Sequence, residues 1–340
     1  MTQRSARLAF AAAAFAMFAA LAGEASAFGD KEVARRTSFG GSCVKCELSG
    51  RNLNGAHIIG ANFSGAALVG ANLREARFQA SSYVGADLSR ADLSDAGMSG
   101  ADFSHANLAA ARLRGAEAHG VRFNSANLNK ADLTDADVTG AMFQKAIMTG
   151  TTLTSAEVRG GQFDSADLTR AVFRDTDATG ANFSRATLRS VNFRSATLRG
   201  ANLQRADGGG SSFDDADLTG AVLTHGRFER TGFRSAKLQG ASLSGASFDG
   251  ADFRDADLRR AIIGGADLSG ARGLTQEQVA QACADSRTKL PAGLIGKSCH
   301  GGVRVIVRPP SVRPPAPPAP PPPPAMPDAP RYFIAVGPID

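Results

Sequence analysis

The fold of this chain is decided by the stretch ANFSGAALVGANLRE at residues 61–75. Each unit of five opens with Ala, carries Phe or Leu at its third position and ends with Gly or Glu. A period of five fits neither the 3.6-residue period of a helix nor the two-residue period of a strand. Each unit must therefore combine a short extended segment with a turn, and units stacked in this way form a solenoid.

The repeat continues without insertion or deletion through most of the chain. Forty-five consecutive units are centred on every fifth position from Leu48 to Leu268, and the position two before the centre is Ala in 34 of them. The centre is apolar in every unit except one, at Gly208, which is expected to offset the volume of Phe193 in the same coil.

Aromatic centres recur every 20 residues in two series that are ten residues out of phase. This spacing predicts four units per coil and two ladders of stacked rings on opposite sides of the lumen. The first ladder comprises Phe63, Tyr83, Phe103, Phe123, Phe143, Phe163 and Phe183. The second comprises Phe173, Phe193, Phe213, Phe233 and Phe253.

The units resemble the A-[DN]-[LF]-x-x repeats of the pentapeptide-repeat family. Ala86-Asp87-Leu88, Ala101-Asp102-Phe103 and Ala251-Asp252-Phe253 match that pattern directly. The resemblance implies an all-β fold, a right-handed quadrilateral parallel β-helix, here of about eleven coils. The family contains inhibitors and scaffolds, so the resemblance implies a fold and leaves the activity open.

Composition divides the chain into five segments. We predict a secretory signal peptide at 1–27, an N-terminal cap at 28–45, the β-helix at 46–271, a helical cap with a disulfide at 272–302 and a Pro-rich tail at 303–340. The signal is predicted from two arginines before an apolar run at 8–21 and from small residues before Phe28. A retained membrane anchor is the alternative, but the run is shorter than the roughly 20 residues that span a bilayer. We expect a periplasmic or secreted protein with no transmembrane segment after cleavage.

The four cysteines lie at the two ends of the repeat, as Cys43 and Cys46 before it and Cys283 and Cys299 after it. A disulfide joins Cα atoms about 6 Å apart, far less than the length of the solenoid, so each pair must close at its own end. A reduced, redox or metal-binding Cys43–Cys46 pair remains the alternative. The absence of a following His argues against haem attachment, and the lack of a second Cys or His pair argues against zinc.

Both ends of the solenoid need covers, because they expose strand edges and apolar lumen. Thr275 and Gln278 form a capping box, which predicts a helix from Gln276 to Ala284 over the last coil. A helix at 30–36 is expected at the other end. The tail contains 13 prolines among residues 309–330, which indicates a polyproline II arm, and it has an apolar tip at 332–336. The arm either docks on a partner or is a disordered tail without one, and the sequence leaves both open.

Charge bears on the best-known activity in the family, inhibition of a type II topoisomerase by DNA mimicry. Residues 47–271 contain 24 Lys and Arg against 25 Asp and Glu, and the whole chain carries +6. A DNA mimic needs a dense negative surface, since DNA carries one charge per about 1.7 Å. We therefore expect no nucleic-acid partner and no DNA mimicry.

No pattern in the sequence indicates catalysis, a cofactor or a metal. The five histidines fall at scattered registers, and a regular rod offers no dry pocket for chemistry. Pairs of Asp recur in every second coil along one corner, which predicts either charge spacing or cation binding. We expect an exported, non-catalytic scaffold or protein-interaction module in the cell envelope, which binds through its flat faces and the Pro-rich arm. A topoisomerase inhibitor is the alternative; the protein partner and the oligomeric state stay open.

Overall fold

The computed structural model describes residues 41–298. The predicted signal peptide, the helix at 30–36, Cys299 and the tail at 303–340 lie outside the described residues. Among the described residues, no helix is both long and apolar enough to cross a membrane.

One coil of the chain is twenty residues long, as the aromatic spacing predicts. The residue before each centre pairs in parallel with the residue twenty positions later, beginning with Ser42 and Asn62. These single-residue bridges form four ladders, which define four faces. Each face contains one residue from every coil. Face 1 runs from Ser42 to Ile262, and face 2 runs from Glu47 to Asp267. Face 3 runs from Asn52 to Arg272, and face 4 runs from His57 to Asp257. The first bridge lies within the range predicted as the N-terminal cap.

A β-turn closes every unit. In a typical unit the backbone N–H of Ala66 donates to the carbonyl of Phe63 at 3.0 Å, and Gly65 between them has a φ of +66°. Every fifth residue from Lys45 to Gly265 has a positive φ, and many of these residues are not glycine. A left-handed residue at this position is what a type II turn requires. None of the non-glycine residues is β-branched, which is consistent with the higher cost of this conformation for branched side chains.

The polar second position of the repeat stabilises the same turn. The Asp87 carboxylate accepts a hydrogen bond from the backbone N–H of Ser89 at 3.0 Å, and the Asn62 carbonyl oxygen accepts one from Ser64 at 3.0 Å. Asp and Asn are suited to this role because their short side chains reach the backbone two residues on. The Asp or Asn of the repeat is therefore explained by the turn.

The lumen contains both series of aromatic rings. Rings of the first ladder stack along the axis with centroids 4.7–5.5 Å apart and interplanar angles of 5–23°. In the second ladder Phe173 is tilted by 33° against Phe193, and the remaining neighbours are stacked. Where the ladders overlap, Phe173 meets Phe163 and Phe183 edge to face at 5.8 Å. The lumen is therefore filled by rings throughout the overlap.

The glycine centre has a different neighbour from the one predicted. A Cβ on Gly208 would lie 2.5 Å from Cδ1 of Phe228, in the next coil along the axis. Phe228 stacks on Phe248 at 5.5 Å, which makes a third, short ladder. Gly208 therefore makes room for a ring of the neighbouring coil, whereas the prediction considered only Phe193 in its own coil.

Five polar side chains replace the inward Ala without leaving a buried hydroxyl unpaired. Each donates its hydroxyl hydrogen to a carbonyl 23 residues earlier; Thr151, for example, bonds to Leu128 at 2.8 Å. The five are Ser81, Thr151, Thr176, Ser211 and Thr231. A hydrogen-bonded hydroxyl avoids most of the free-energy cost of burying a polar group, so the inward position two residues before each centre accepts Ser and Thr as well as Ala.

A short helix and three further bridges, Ile262 with Cys283, Asp267 with Lys289 and Ala284 with Ser298, cover the C-terminal end. Helix α1 spans Gln276–Gln281, and the capping box of Thr275 and Gln278 is present in full. The helix ends three residues earlier than predicted, because Cys283 is extended and pairs with Ile262 of the last coil. The Gln278 amide also donates to the carbonyls of Phe253 and Ala256, at 2.9 and 2.8 Å. The capping glutamine thus serves both the helix and the edge of the solenoid.

Candidate interaction surfaces

The first pair of cysteines lies in register with the coils. Cys43 and Cys46 are joined by a disulfide with their Cα atoms 5.3 Å apart, and both are half-buried against the core. The backbone N–H of Cys43 donates to the carbonyl of Asn62 at 2.7 Å, so the disulfide bridges a turn of the first coil. Cys283 is also disulfide-bonded, and Cys299, its predicted partner, lies outside the described residues.

The aromatic residues predicted as ladders are enclosed and cannot contact a ligand from outside. Every ladder residue except Phe63 is fully buried, and Phe63 is 3% exposed. Within residues 41–298, no group of His, Cys, Asp and Glu is arranged to hold a metal ion. Recognition by the described part of the chain must therefore use the outer faces and corners.

One side of the solenoid carries acidic and basic side chains in pairs. We call this the paired edge: face 4 with its two bordering corners, at residues 114–120 and at the same seven positions in each coil as far as 254–260. These positions hold ten Lys and Arg against eleven Asp and Glu. Ion pairs join Arg114 to Asp135, His119 to Asp137, Arg159 to Glu157 and Asp177, Arg174 to Asp175, Arg194 to Asp215, Arg199 to Asp217 and Arg259 to Asp257.

Hydrogen bonds lower the pKa of three carboxylates of this edge, those of Asp177, Asp217 and Asp257. Desolvation alone would raise the pKa of Asp177, but bonds from Thr179 and Arg159 outweigh it and lower that pKa. For Asp257 the largest effect is the hydrogen bond from Arg259, which holds its pKa well below the usual range. The Asp pairs that recur in every second coil thus contact cations, and the edge is nearly neutral overall.

The opposite side of the solenoid is positively charged. We call it the cationic face: face 2 with its two bordering corners, at residues 124–130 and at the same seven positions in each coil as far as 224–230. These positions contain eight Lys and Arg against four Asp and Glu. Six of the cations stand exposed on the corners, with Lys145, Arg185 and Arg205 on one edge and Lys130, Arg170 and Arg230 on the other.

These six cations lack the ion pairs that eight of the ten cations of the paired edge make, where only Lys237 and Arg260 have none within residues 41–298. Arg189 and Arg227, in the middle of the cationic face, both bind Asp207, at 2.8 and 2.7 Å. The six corner cations form no ion pair with any residue in the described range 41–298. They are therefore available to an anionic partner without first giving up an internal contact.

The cationic face also has a shallow hollow and an exposed apolar residue. Gly150 lies between Lys130 and Arg170 in successive coils, and the missing side chain leaves a hollow of about 380 Å³. Ile147 is 48% exposed on the same face. Sequence reasoning missed this surface because it counted charge over the whole repeat; aligning the last position of each unit at the spacing of one coil would have found it.

Comparison with known proteins was consistent with the coil geometry. A family model for pentapeptide repeats matches residues 42–79, 71–108, 101–140, 131–170, 166–207, 211–250 and 236–272, more than half of the chain. No curated protein sequence matches the chain significantly.

Among solved structures, HetL, a pentapeptide repeat protein involved in heterocyst differentiation regulation from the cyanobacterium Nostoc, is 34% identical; the match covers 63% of this chain and 90% of HetL, with a TM-score of 0.33. QnrB1, a plasmid-mediated fluoroquinolone resistance protein, is 17% identical over 56% of this chain and 90% of its own, with a TM-score of 0.31. A pentapeptide repeat protein from the thylakoid lumen of Arabidopsis thaliana is 29% identical over 29% of this chain and 63% of its own, with a TM-score of 0.21. On the family match and the four-sided parallel coil, this chain belongs to the pentapeptide-repeat family and folds as its right-handed quadrilateral β-helix.

Proposed function

We propose that the protein is an exported, non-catalytic scaffold that binds a protein partner in the cell envelope through its flat faces. The observation that carries this proposal is the division of the side chains: the rings and aliphatic residues fill the lumen, and long charged side chains are displayed outside at a fixed spacing. A rigid array of this kind suits recognition of an extended surface. Export is supported by the sequence of residues 1–27.

The paired edge is the surface that we assign to the protein partner. Its acidic and basic side chains pair between adjacent coils, which are about 4.8 Å apart, so a partner with the complementary order of charges gains several contacts in one register. Most of the ion pairs are more than one-third exposed on at least one side, and exposed pairs contribute little to stability. Their order can therefore serve recognition at small cost to folding.

Residues 303–340 form the second element of the proposal. Their prolines favour an extended arm, and the run at 332–336 offers apolar side chains to a partner. We propose that this arm docks the scaffold to the same partner assembly.

The test compares three proteins in affinity capture from envelope extracts: the full chain, a chain ending at Gly302, and a full chain with two reversed pairs. The reversed chain carries Arg114→Asp with Asp135→Arg, and Arg194→Asp with Asp215→Arg. These four side chains occupy turn positions where their charged ends do not cap the backbone, so reversal changes the charge order and keeps both pairs; only the contact of Arg114 with Asp132 at 3.6 Å is lost. A partner that is held by the full chain and lost on reversal supports the paired edge. Equal capture by all three proteins contradicts both parts of the proposal.

DNA mimicry is the competing function, and one feature resembles it. Glu117, Asp137, Glu157 and Asp177 follow one another in adjacent coils on face 4. Arg159 pairs with two of the four, Glu157 and Asp177, and so lowers the net charge of the column below that of a phosphate backbone. Salt-sensitive inhibition of DNA supercoiling by the purified full chain would favour mimicry over the scaffold.

A further inference from the structure

The cationic face differs from the paired edge in the number of its cations that lack an ion pair, six of eight against two of ten in the described residues. We propose that this face binds the surface of an anionic phospholipid bilayer. This inference goes beyond the binding of a protein partner, which we assign to the paired edge on the opposite side.

The arrangement of the cations fits a planar array of anions. Lys145, Arg185 and Arg205 follow one corner of face 2, and Lys130 and Arg170 follow the other corner over the same coils. Coils are about 4.8 Å apart, so the two rows cover a flat area rather than a single line. A plane of anionic headgroups can therefore contact both rows at the same time.

The centre of the face favours lipid over a hydrated polymer. Ile147 is 48% exposed between the two rows, where it can enter the boundary between headgroups and acyl chains. Beside it, the hollow at Gly150 has Lys130 and Arg170 on its two sides and Asn129, Thr149 and Asp167 in its lining. The two cations outnumber the single carboxylate, so the hollow keeps a net positive charge for a phosphate oxygen.

The position of the face on the solenoid is also suitable. Face 2 and face 4 are on opposite sides of the four-sided coil, since the chain visits the faces in order. A bilayer on face 2 would therefore leave the paired edge exposed. The protein could lie on a membrane and still present its paired charges to a partner.

The experiment measures co-sedimentation of the chain from Phe28 onward with vesicles. Vesicles of phosphatidylcholine alone are compared with vesicles that contain phosphatidylglycerol as well, at low and high salt. The test variant is Lys145→Gln with Arg185→Gln and Arg205→Gln. The matched control is Arg77→Gln with Lys237→Gln and Arg260→Gln, which removes three exposed cations that also lack a carboxylate partner among residues 41–298, but lie on face 4 and its corner. All three proteins are prepared from Phe28, without the predicted signal peptide whose apolar run at 8–21 would itself bind vesicles, and the tail arginines are common to all three, so differences report on the faces.

We expect the parent to bind only vesicles that contain phosphatidylglycerol, and to bind them more weakly at high salt. Binding should fall more than tenfold in the test variant and stay within twofold of the parent in the control. Equal losses in both variants, or no loss in either, would overturn the proposal. Soluble polyglutamate at the same charge concentration provides the alternative ligand. If polyglutamate binds the cationic face more tightly than the vesicles do, the proposal is also overturned and the ligand is a soluble polyanion. Circular dichroism of the three proteins confirms that each is folded.

Discussion

The lumen and the outer faces are built on the same backbone, yet they follow different rules. Inside, the neighbour twenty residues away determines which side chain fits: rings stack on rings, and Gly208 is present because Phe228 occupies the space where its side chain would lie. Outside, every coil offers the same positions, but face 4 fills them with paired charges and the corners of face 2 with unpaired cations. Stability is therefore determined by the lumen, and the outer residues are free to vary with the partner.

The largest effect should come from the aromatic ladder. Phe143 stacks between Phe123 and Phe163, with centroids at 5.1 and 4.7 Å, and it is fully buried. Phe143→Ala should lower the free energy of unfolding by about 3–5 kcal/mol, because it removes a buried ring and leaves a cavity. Urea titration measures this change. Gln204→Ala, on an exposed corner, is the control and should stay within about 0.5 kcal/mol of the parent. Similar losses for the two variants would remove the distinction between lumen and surface.

The next test concerns the packing at Gly208. Gly208→Ala should cost about 1–3 kcal/mol, because its Cβ would come within 2.5 Å of the Phe228 ring. Adding Phe228→Leu should recover part of that loss, which a double-mutant cycle would detect. Gly220→Ala is the comparison: its φ is +67° and its Cβ would meet nothing within 4 Å, so backbone strain alone should cost about 1–2 kcal/mol. Recovery at Gly220 by the same Phe228 change would contradict the assigned contact.

A smaller effect is expected at Asp252, a charged residue that is only 7% exposed. Its carboxylate binds Arg254 at 2.6 Å and Arg234 at 2.8 Å. Asp252→Asn keeps the oxygen that accepts the turn hydrogen bond and removes the charge, so we expect a loss of about 1–2 kcal/mol in the free energy of unfolding. A loss below about 0.3 kcal/mol would show that these ion pairs are interchangeable with neutral hydrogen bonds.

Acid should weaken these pairs before it affects the lumen. The hydrogen bond from Arg254 holds the pKa of Asp252 well below its usual range, and the bond from Arg259 does the same for Asp257. Since both pKa values are lower in the folded chain than the unfolded value near 3.9, their contribution is complete above about pH 4 and is lost as pH falls toward the folded values. The melting temperature should therefore fall below about pH 4, and less steeply in a variant with Asp252→Asn and Asp257→Asn. Parallel curves would contradict this assignment.

The smallest effect on stability is expected at the unpaired cations. Arg185→Gln and Arg205→Gln should each change the free energy of unfolding by less than about 0.5 kcal/mol, because neither side chain has an ion pair within residues 41–298 to lose. Thermal melting of the two single variants checks this point. A drop larger than about 1 kcal/mol would indicate that the corner cations have a structural role.

The parts of the molecule that follow from a strict period could be predicted from the sequence. The twenty-residue coil, the two aromatic series and the capping box of Thr275 and Gln278 each depend on spacing alone, and the coil and the capping box are present as predicted. The end of α1 could not be predicted, because the bridge between Cys283 and Ile262 is a tertiary contact that competes with the helix. The predicted neighbour of Gly208 was wrong for a similar reason, since the contact lies along the axis.

The charged surfaces were only partly predictable. The sequence showed that Asp137 and Asp177 share a corner, but the partner of each depends on the reach of long side chains across coils, as Arg159 reaches Asp177 in the next coil. The cationic face was missed because a count over the whole repeat, 24 Lys and Arg against 25 Asp and Glu, does not separate one face from the others. Charges must be counted by face once the twenty-residue period is known.

The most direct test of the account measures the free energy of unfolding and phosphatidylglycerol-vesicle binding in the same preparations. Two variants are compared with the parent: Phe143→Ala in the lumen, and the triple Gln variant at Lys145, Arg185 and Arg205. The account predicts that Phe143→Ala loses stability and keeps its vesicle binding while folded, and that the triple variant keeps its stability and loses more than tenfold in binding. Joint loss of stability and binding in the triple variant would contradict the separation of a stabilising lumen from a recognising surface.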